Sequence, residues 1–485
     1  MPDVLLGVDL GTSGVKVVLL DLDGRVRAEA SREYPVEVTG SGAAETPPES
    51  WWDATVAAVG EALGSGPFDV AAVGVDGQMH GLVLADADGV PTRPAVLWPD
   101  TRARGEVAAW EALPEPALRR LANPLVPGMF GPMLRWVRRH EPAAYERSRI
   151  ALLPKDWLRH RLTGGFATDP SDASATLLWD VPGDGWARDV AAAVGLDPVL
   201  LPAVRPSAEP AGAVTAAAAS ALGVDAGVPV ATGAADTAAA LLATGLTDAA
   251  DLQISVGSGA QVVRPLSRPA GVARPRTHVY RAATPSGWYA MAAVQNAGIA
   301  LDWVRRVLGL SWDELYALRG GPGAGGVTFV PYLTGERSPV LDPDARGAWV
   351  GMGLATNRSG LARAAVEGVA FAVRHALEAL PGDAPAEARL TGGGAALPAF
   401  RTLLADVLGI PLRPMSLRSA SAVGAARLAA AAADLPVPAT AISRGDPVSP
   451  SAHAGGYEEP YRRYLDAVAR LRGGRSAAGA LPRPG

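Results

Sequence analysis

The sequence predicts an α/β protein of two domains built to one plan. Three observations lead there. At 485 residues the chain exceeds what one hydrophobic core normally serves. A unit of apolar strand, glycine turn and apolar strand occurs twice, in VLLGVDLGTSGVKVVLL and again in ADLQISVGSGAQVVRPL. The two units lie about 250 residues apart, the trace a duplicated domain leaves. Around them, apolar runs of strand length alternate with segments of helical periodicity.

The elements follow in order. The first unit reads as two strands joined by a turn at Gly11, Thr12, Ser13 and Gly14, and Asp23-Gly24 marks the next reversal. A loop rich in Gly, Pro and Glu precedes Ser50, which is placed to cap a helix over WWDATVAAVGEAL with Trp51 and Trp52 on its packed face. VAAVGVDG and PAVLWPD read as strands, and residues 102–165 as mostly helical. VPVATGAADTAAALLATG ends a strand and turns into helix at Asp236, a position where Asp is commonly a plain N-cap. LTGGGAALPAFRTLLADVLGI sets a third glycine cluster between a short strand and an amphipathic helix. A fourth, GGPGAGGVTF, reads as a connection before the strand VTFVPYL.

Composition narrows the function. Apolar residues make up 48% and charged residues 19%, as in an ordinary globular protein. The net charge of −5, with no block of Lys and Arg interleaved with aromatics, argues against nucleic acid. The absence of cysteine excludes disulfides, thiolate metal sites and Cys nucleophiles. The six histidines show no HxH or HExxH spacing, which argues against a histidine metal centre. No apolar run reaches membrane-spanning length, and the amino terminus enters a strand pattern directly, so a cytoplasmic protein is expected. Lys16 and Lys155 are the only lysines among 44 basic residues; either chance or a need for a compact ammonium would leave them there.

Three glycine turns suggest a chemistry. Glycine lets backbone N–H groups approach an anion with no Cβ in the way. Two such turns facing each other could hold the phosphates of a nucleotide, while a third admits the flat adenosine. Neither GxxxxGK[ST] nor a GxGxxG after a strand occurs, so the P-loop and Rossmann readings lack support. The stretch VGVDGQMHGLVLAD sets Met79 and His80 between glycines at a strand end, which is either core packing or a binding site.

GVDLGTSGVK, GQMHG, LLPKDWLRHRLTG, the Asp236 segment, PYLTGERSP, GLARAAVEG and LTGGGA occur in the order seen in the FGGY family of carbohydrate kinases, which the chain resembles from residue 4 to about 470. The resemblance implies two actin-like, ribonuclease-H-like domains with mixed five-stranded sheets flanked by helices and the active site in the cleft between them. Residues 1–243 would carry the sugar and phosphate side and 244–472 the nucleotide side, with 473–485 a disordered tail. It implies ATP, Mg²⁺ and a small sugar as ligands, no nucleic-acid or membrane partner, and leaves a homodimer open. By resemblance Asp236 is the catalytic base, and Asp9 acts beside the triphosphate through Mg²⁺, directly or through water. Gly11, Thr12, Ser13, Gly14 and Lys16 would form the first phosphate site, and Gly257, Ser258 and Gly259 the second. Gly392, Gly393, Gly394 and Ala395 would line the adenosine pocket. Gln78, Met79, His80, Trp98 and Thr237 fall on the sugar side: His80 to bond a hydroxyl or carbonyl oxygen, Met79 to pack on the carbon skeleton, Trp98 to form a wall.

Three positions depart from the family pattern. Thr237 stands where xylulose-phosphorylating members commonly have Asn, Pro99 replaces another Asn, and Met133 replaces a lysine. The two lost amides bear on which sugar is taken rather than on the reaction. The expected reaction is transfer of the terminal phosphoryl of ATP to a small ketose or polyol, D-xylulose at O5 first, with ribulose, arabinitol or a deoxyketose as alternatives. An actin-like nucleotide clamp is the alternative of another class; it would not need GQMHG together with Asp236.

Overall fold

The computed structural model describes residues 3–317 and 322–478. In the first half β1 (Asp3–Leu10) and β2 (Gly14–Asp21) form the expected antiparallel hairpin, and β3 (Val26–Glu33) pairs antiparallel with β2. On its other edge β1 pairs parallel with β4 (Asp69–Gly77), which in turn pairs parallel with β5 (Pro229–Ala231). The second half repeats this with β6 (Gln253–Val256), β7 (Ala260–Leu266), β8 (Trp288–Val294), β9 (Ala388–Thr391) and β10 (Leu412–Ser416). Its spatial order, β8-β7-β6-β9-β10, and its pairing senses match those of β3-β2-β1-β4-β5. The duplication read from two glycine turns therefore extends to whole sheets.

Each sheet has seven strands rather than five. Strand Pro210–Ala213 borders β5, and Ala234–Ala235 pairs with β4 beyond it. The break between β5 and Ala234–Ala235 falls at Gly233, whose φ is 88° and whose missing Cβ would lie 2.2 Å from the Val75 carbonyl oxygen. In the second sheet His278–Arg281 borders β8 and Ser443–Arg444 borders β10.

Helix α1 (Pro48–Gly64) packs on β2 and β3. It begins at Pro48, so Ser50 lies inside the first turn and caps nothing; proline suits that position because the first-turn N–H has no helical partner to lose. Trp51 is fully buried, edge-on to Trp157 of α2 (Pro154–Thr163), whereas Trp52 is only half-buried beneath the Arg161 guanidinium. α3 (Asp236–Thr244) follows the first sheet, and α4 (Arg358–Glu378) covers the second. α5 (Ala420–Ala432) belongs to the second half by sequence but packs on β1, β4 and α3. Glycine permits that approach: a Cβ on Gly7 or Gly74 would sit 2.0 or 1.9 Å from the carbonyl oxygens of Ala422 or Ala425, and one on Gly424 would sit 2.0 Å from that of Ala239. Backbone on backbone, this seam joins the two halves.

The last helix, α6 (Glu458–Ala478), carries residues 473–478, expected to be tail, as continued helix; residues 479–485 lie outside the described residues, as do Gly320 and Gly321 of the fourth glycine cluster. No described helix is long and apolar enough to cross a membrane.

Candidate active site

β1 and β4 run parallel in register, so their carboxyl ends place Asp9 opposite Asp76. In open α/β sheets this end of the strands is where ligands bind. Asp9 is half-buried and its pKa is raised, by burial first, against the pull of a hydrogen bond from Asp76 and the charge of Lys16, its partner across the β1–β2 hairpin. Asp76 is fully buried, and no N–H group donates to its carboxyl oxygens. Burial, then the charges of Asp9 and Asp236, push its pKa well up, which favours the protonated form beside Asp9. Sequence reasoning missed Asp76; the one signal was an acid in an otherwise apolar strand.

This arrangement predicts a stability effect. Asp76 has a folded-state pKa above its unfolded value, so its favourable contribution is full below the unfolded pKa and is lost as pH rises. Asp76→Asn should therefore raise Tm relative to the parent, with a gain that grows from pH 5 to pH 8. Thermal melts across that range check it, and a constant or shrinking gain would refute the buried proton.

The 11–14 turn is braced by two residues expected on the sugar side. Gln78 donates through Nε2 to the Gly11 carbonyl (3.1 Å) and through its backbone N–H to Leu10 (2.8 Å). Trp98 donates its indole N–H to Thr12 Oγ1 (3.0 Å). The Tyr34 hydroxyl, which sequence reasoning did not single out, also bonds the Gly11 carbonyl.

Asp236 is the first residue of α3 and does not cap it; Ala235 holds the cap position without a side-chain bond. Its carboxyl accepts from the Thr237 hydroxyl at 3.1 Å and from the Thr237 N–H at 2.5 Å. Burial, then the charge of Asp9, raise its pKa to about 6, while the Thr237 bonds pull it back. Thr237, expected on the sugar, thus has its hydroxyl committed to Asp236. One residue earlier, the Ala235 N–H donates to Ser171 Oγ, which donates to Asp169, which lies 3.0 Å from Lys155 Nζ. Lys155 also meets Asp156 at 2.6 Å and Asp172 at 3.1 Å, with all four side chains fully buried. Burial opposes the ammonium charge, and the three carboxylates outweigh it. The second of the two lysines anchors a network that ends beside Asp236.

Gly77 and Gly81 flank Met79 and His80 because α2 lies against them: a Cβ would come 3.1 Å from Lys155 Cβ or 2.6 Å from Pro154 Cγ. His80 has a φ of 72°, a strained value for a non-glycine residue of the kind that gathers at ligand clamps. Its Nδ1 lies 2.8 Å from the Ala175 carbonyl, which can only accept, so the proton sits on Nδ1 and Nε2 is an acceptor. Burial lowers its pKa to about 4, so the ring is neutral. Met79 is buried beside it. The Tyr280 ring stands 6.0 Å from His80, and its hydroxyl meets His278 Nδ1 at 2.7 Å. Both come from the second half, on a strand that Asn123 ties to the first by two 3.0 Å bonds to Val279. Sequence gave no signal for this pairing.

From Asp236 and Thr237 a cavity of about 330 Å³ runs along α3, past Ser255 and Gln261, to Gly392. A second, of about 390 Å³, continues past Gly392 and Gly393 to Met415. Gly392 has a φ of 87°, and a Cβ there would lie 2.4 Å from the Val256 carbonyl oxygen, so only glycine fits. Gly394 packs on the Val256 side chain, and Ala395 lies within the helical turn Gly393–Ala396. Gly257, Ser258 and Gly259 form the β6–β7 turn, closed by a 2.8 Å bond from the Gly257 N–H to the Gly259 carbonyl, and line neither cavity. Among the described residues no three acidic or histidine side chains are grouped to hold a metal. A divalent cation here would depend on phosphate oxygens together with Asp9, whose half-buried carboxyl at the mouth of the turn suits that part.

Two like-built halves, an elongated cavity between them and a carboxyl of pKa about 6 at its end describe a nucleotide-using phosphotransferase. The chain belongs to the FGGY family of carbohydrate kinases: the family's N-terminal domain matches residues 4–243 and its C-terminal domain residues 252–433. It is 37% identical over 444 residues to a xylulose kinase of Escherichia coli (88% of this chain, 90% of the relative). It is 30% identical over 436 residues to a xylulose kinase of Bacillus subtilis (88% and 87%). Its fold matches a crystal structure described as a xyloylose kinase from Brucella ovis with a TM-score of 0.90 and 32% identity, covering 97% of this chain and 99% of that one. The chain is a carbohydrate kinase that uses ATP.

Proposed function

We propose that the chain transfers the terminal phosphoryl of ATP to O5 of D-xylulose, giving D-xylulose 5-phosphate and ADP. The observation that carries this reading is His80. It is a neutral ring, held in a strained conformation, that offers only an acceptor and so receives a sugar hydroxyl. The likeness to xylulose kinases of E. coli and B. subtilis supports the same sugar.

Asp236 takes the proton of the attacking hydroxyl as the new O–P bond forms and the bond to ADP breaks. The 11–14 turn, braced by Gln78 and Trp98, offers backbone N–H groups to the phosphoryl oxygens beside Lys16. Asp9 is the residue that would hold Mg²⁺, which when bound neutralises phosphate charge. The seam of α5 against β1 and β4 keeps the two halves of the site in one frame.

Rates on D-xylulose, D-ribulose, L-ribulose and D-arabinitol test the substrate. D-xylulose should give the highest kcat/KM; a different leader would replace it in this reading. Because Thr237 is engaged with Asp236 and Pro99 carries no amide, the spread between pentuloses should be narrow. His80→Ala should raise KM for every accepted sugar by roughly ten- to hundredfold, the cost of one or two hydrogen bonds. An unchanged KM would remove His80 from the sugar site.

A further inference from the structure

The sugar-side residues expected from sequence leave one chemical gap. A 2-ketose carries a carbonyl oxygen that can only accept a hydrogen bond. His80 cannot serve it, since Nδ1–H is held by Ala175 and Nε2 is an acceptor. The Gln78 amide donates to Gly11, the Trp98 indole to Thr12 and the Thr237 hydroxyl to Asp236. Of the side-chain donors on that side, only the second Gln78 amide hydrogen has no partner.

The second half supplies a free one. The guanidinium of Arg337, in the PYLTGERSP segment, lies over the Trp98 ring with its central carbon 5.5 Å from the centroid. It stands close enough to His80 and His278 for its charge to help lower the pKa of both. Its side chain has no hydrogen-bond or ion-pair partner among the described residues. The adjacent carboxylate, Glu336, is occupied by the backbone N–H groups of Gln295 (2.6 Å) and Arg337 (2.8 Å) and by Asn296 Nδ2 (3.3 Å). Glu336 acts on the Arg337 guanidinium only through its charge and makes no hydrogen bond to it, so the fork of donors is open to a ligand. His278 Nε2 and the Tyr289 hydroxyl are also unpartnered, but both residues are fully buried, whereas Arg337 keeps partial exposure.

We propose that Arg337 is a substrate-binding residue brought by the second half of the chain, which donates to the keto oxygen of the sugar and sets the preference for a ketose over a polyol. The assignment rests on the D-xylulose reading above. It makes the sugar a bridge: hydroxyl to His80 in one half, carbonyl to Arg337 in the other. Guanidinium donors in a fixed fork suit a carbonyl, and a lysine ammonium at the same position would serve it less well.

The test compares the full-length parent with Arg337→Met and Arg337→Lys. Calorimetric titration with D-xylulose and with D-arabinitol, which has no carbonyl, gives both affinities without turnover. Titration with a non-hydrolysable ATP analogue and a thermal melt accompany them. Arg337→Met should weaken D-xylulose binding by about 30-fold and bring it to within roughly threefold of D-arabinitol. Arg337→Lys should fall between. Affinity for the ATP analogue should stay within about threefold, and Tm should hold because no hydrogen bond of the fold is lost. Equal loss on both sugars would overturn the keto assignment, and unchanged D-xylulose affinity would overturn any sugar role. A lower Tm together with weaker analogue binding would make Arg337 structural. If the parent phosphorylates neither sugar, the D-xylulose reading itself falls and this assignment with it.

Discussion

Asp236→Asn is expected to lower kcat by about two to four decades, the usual worth of a positioned general base. The amide keeps the shape of the carboxyl and the Thr237 contact on one oxygen, but it cannot take a proton. Nucleotide affinity should stay within about threefold, because the cavity past Ser255 and Gln261 to Gly392 is unchanged. The parent also has a pH signature. With its pKa at about 6, Asp236 is protonated and idle below that value, so kcat/KM should climb through pH 6 and level off above it. The groups that set this limb are Asp9, whose charge raises it, and Thr237, whose bonds lower it. Asp236→Asn should abolish the limb. Steady-state rates from pH 5 to 8 decide the matter; a variant within tenfold of the parent that keeps the same limb would assign the base elsewhere.

What the sequence disclosed and what it hid divide along physical lines. β1, β2 and β4 were legible because central strands covered on both faces read as near-continuous apolar runs, and the turns between them are glycine-rich. Asp9 and Asp236 were legible because each stands at the end of such a run, next to a chain reversal or a helix start. Asp76 was not, for the opposite reason: it sits inside its strand, and only the parallel register with β1 sets it against Asp9. Helix starts were misplaced where two signals competed, as when Pro48 outranked Ser50. The least legible features were those made by distant segments. Gly7 and Gly74 look like weak points in a strand until α5, far along the chain, is laid on them. Tyr280, His278 and Arg337 of the second half come beside His80 and Trp98 of the first through contacts such as Asn123 with Val279 and Arg337 with the Trp98 ring, and no local pattern encodes such a meeting.

Asp9→Asn separates two accounts of the same carboxyl. If Asp9 organises Mg²⁺ beside the phosphates, its loss should cut kcat by roughly a hundredfold and raise the Mg²⁺ concentration needed for half-maximal rate, with sugar binding preserved. If it only shapes the turn, the Mg²⁺ dependence should not move. A second readout is independent of the metal titration. After burial, the charge of Asp9 raises the Asp236 pKa, so replacing it with a neutral amide makes Asp236 easier to ionise. The acid limb of the remaining activity should then shift to lower pH, away from about 6. That shift follows from the lost charge under either account, so the limb reports the coupling of Asp9 to Asp236 and the Mg²⁺ titration separates metal holder from turn residue. Rates measured over Mg²⁺ concentration at fixed pH, and over pH at saturating Mg²⁺, give both answers from one protein. A limb that stays at about 6 with an unchanged Mg²⁺ requirement would take Asp9 out of the chemistry and leave it as the acceptor of the Asp76 proton alone.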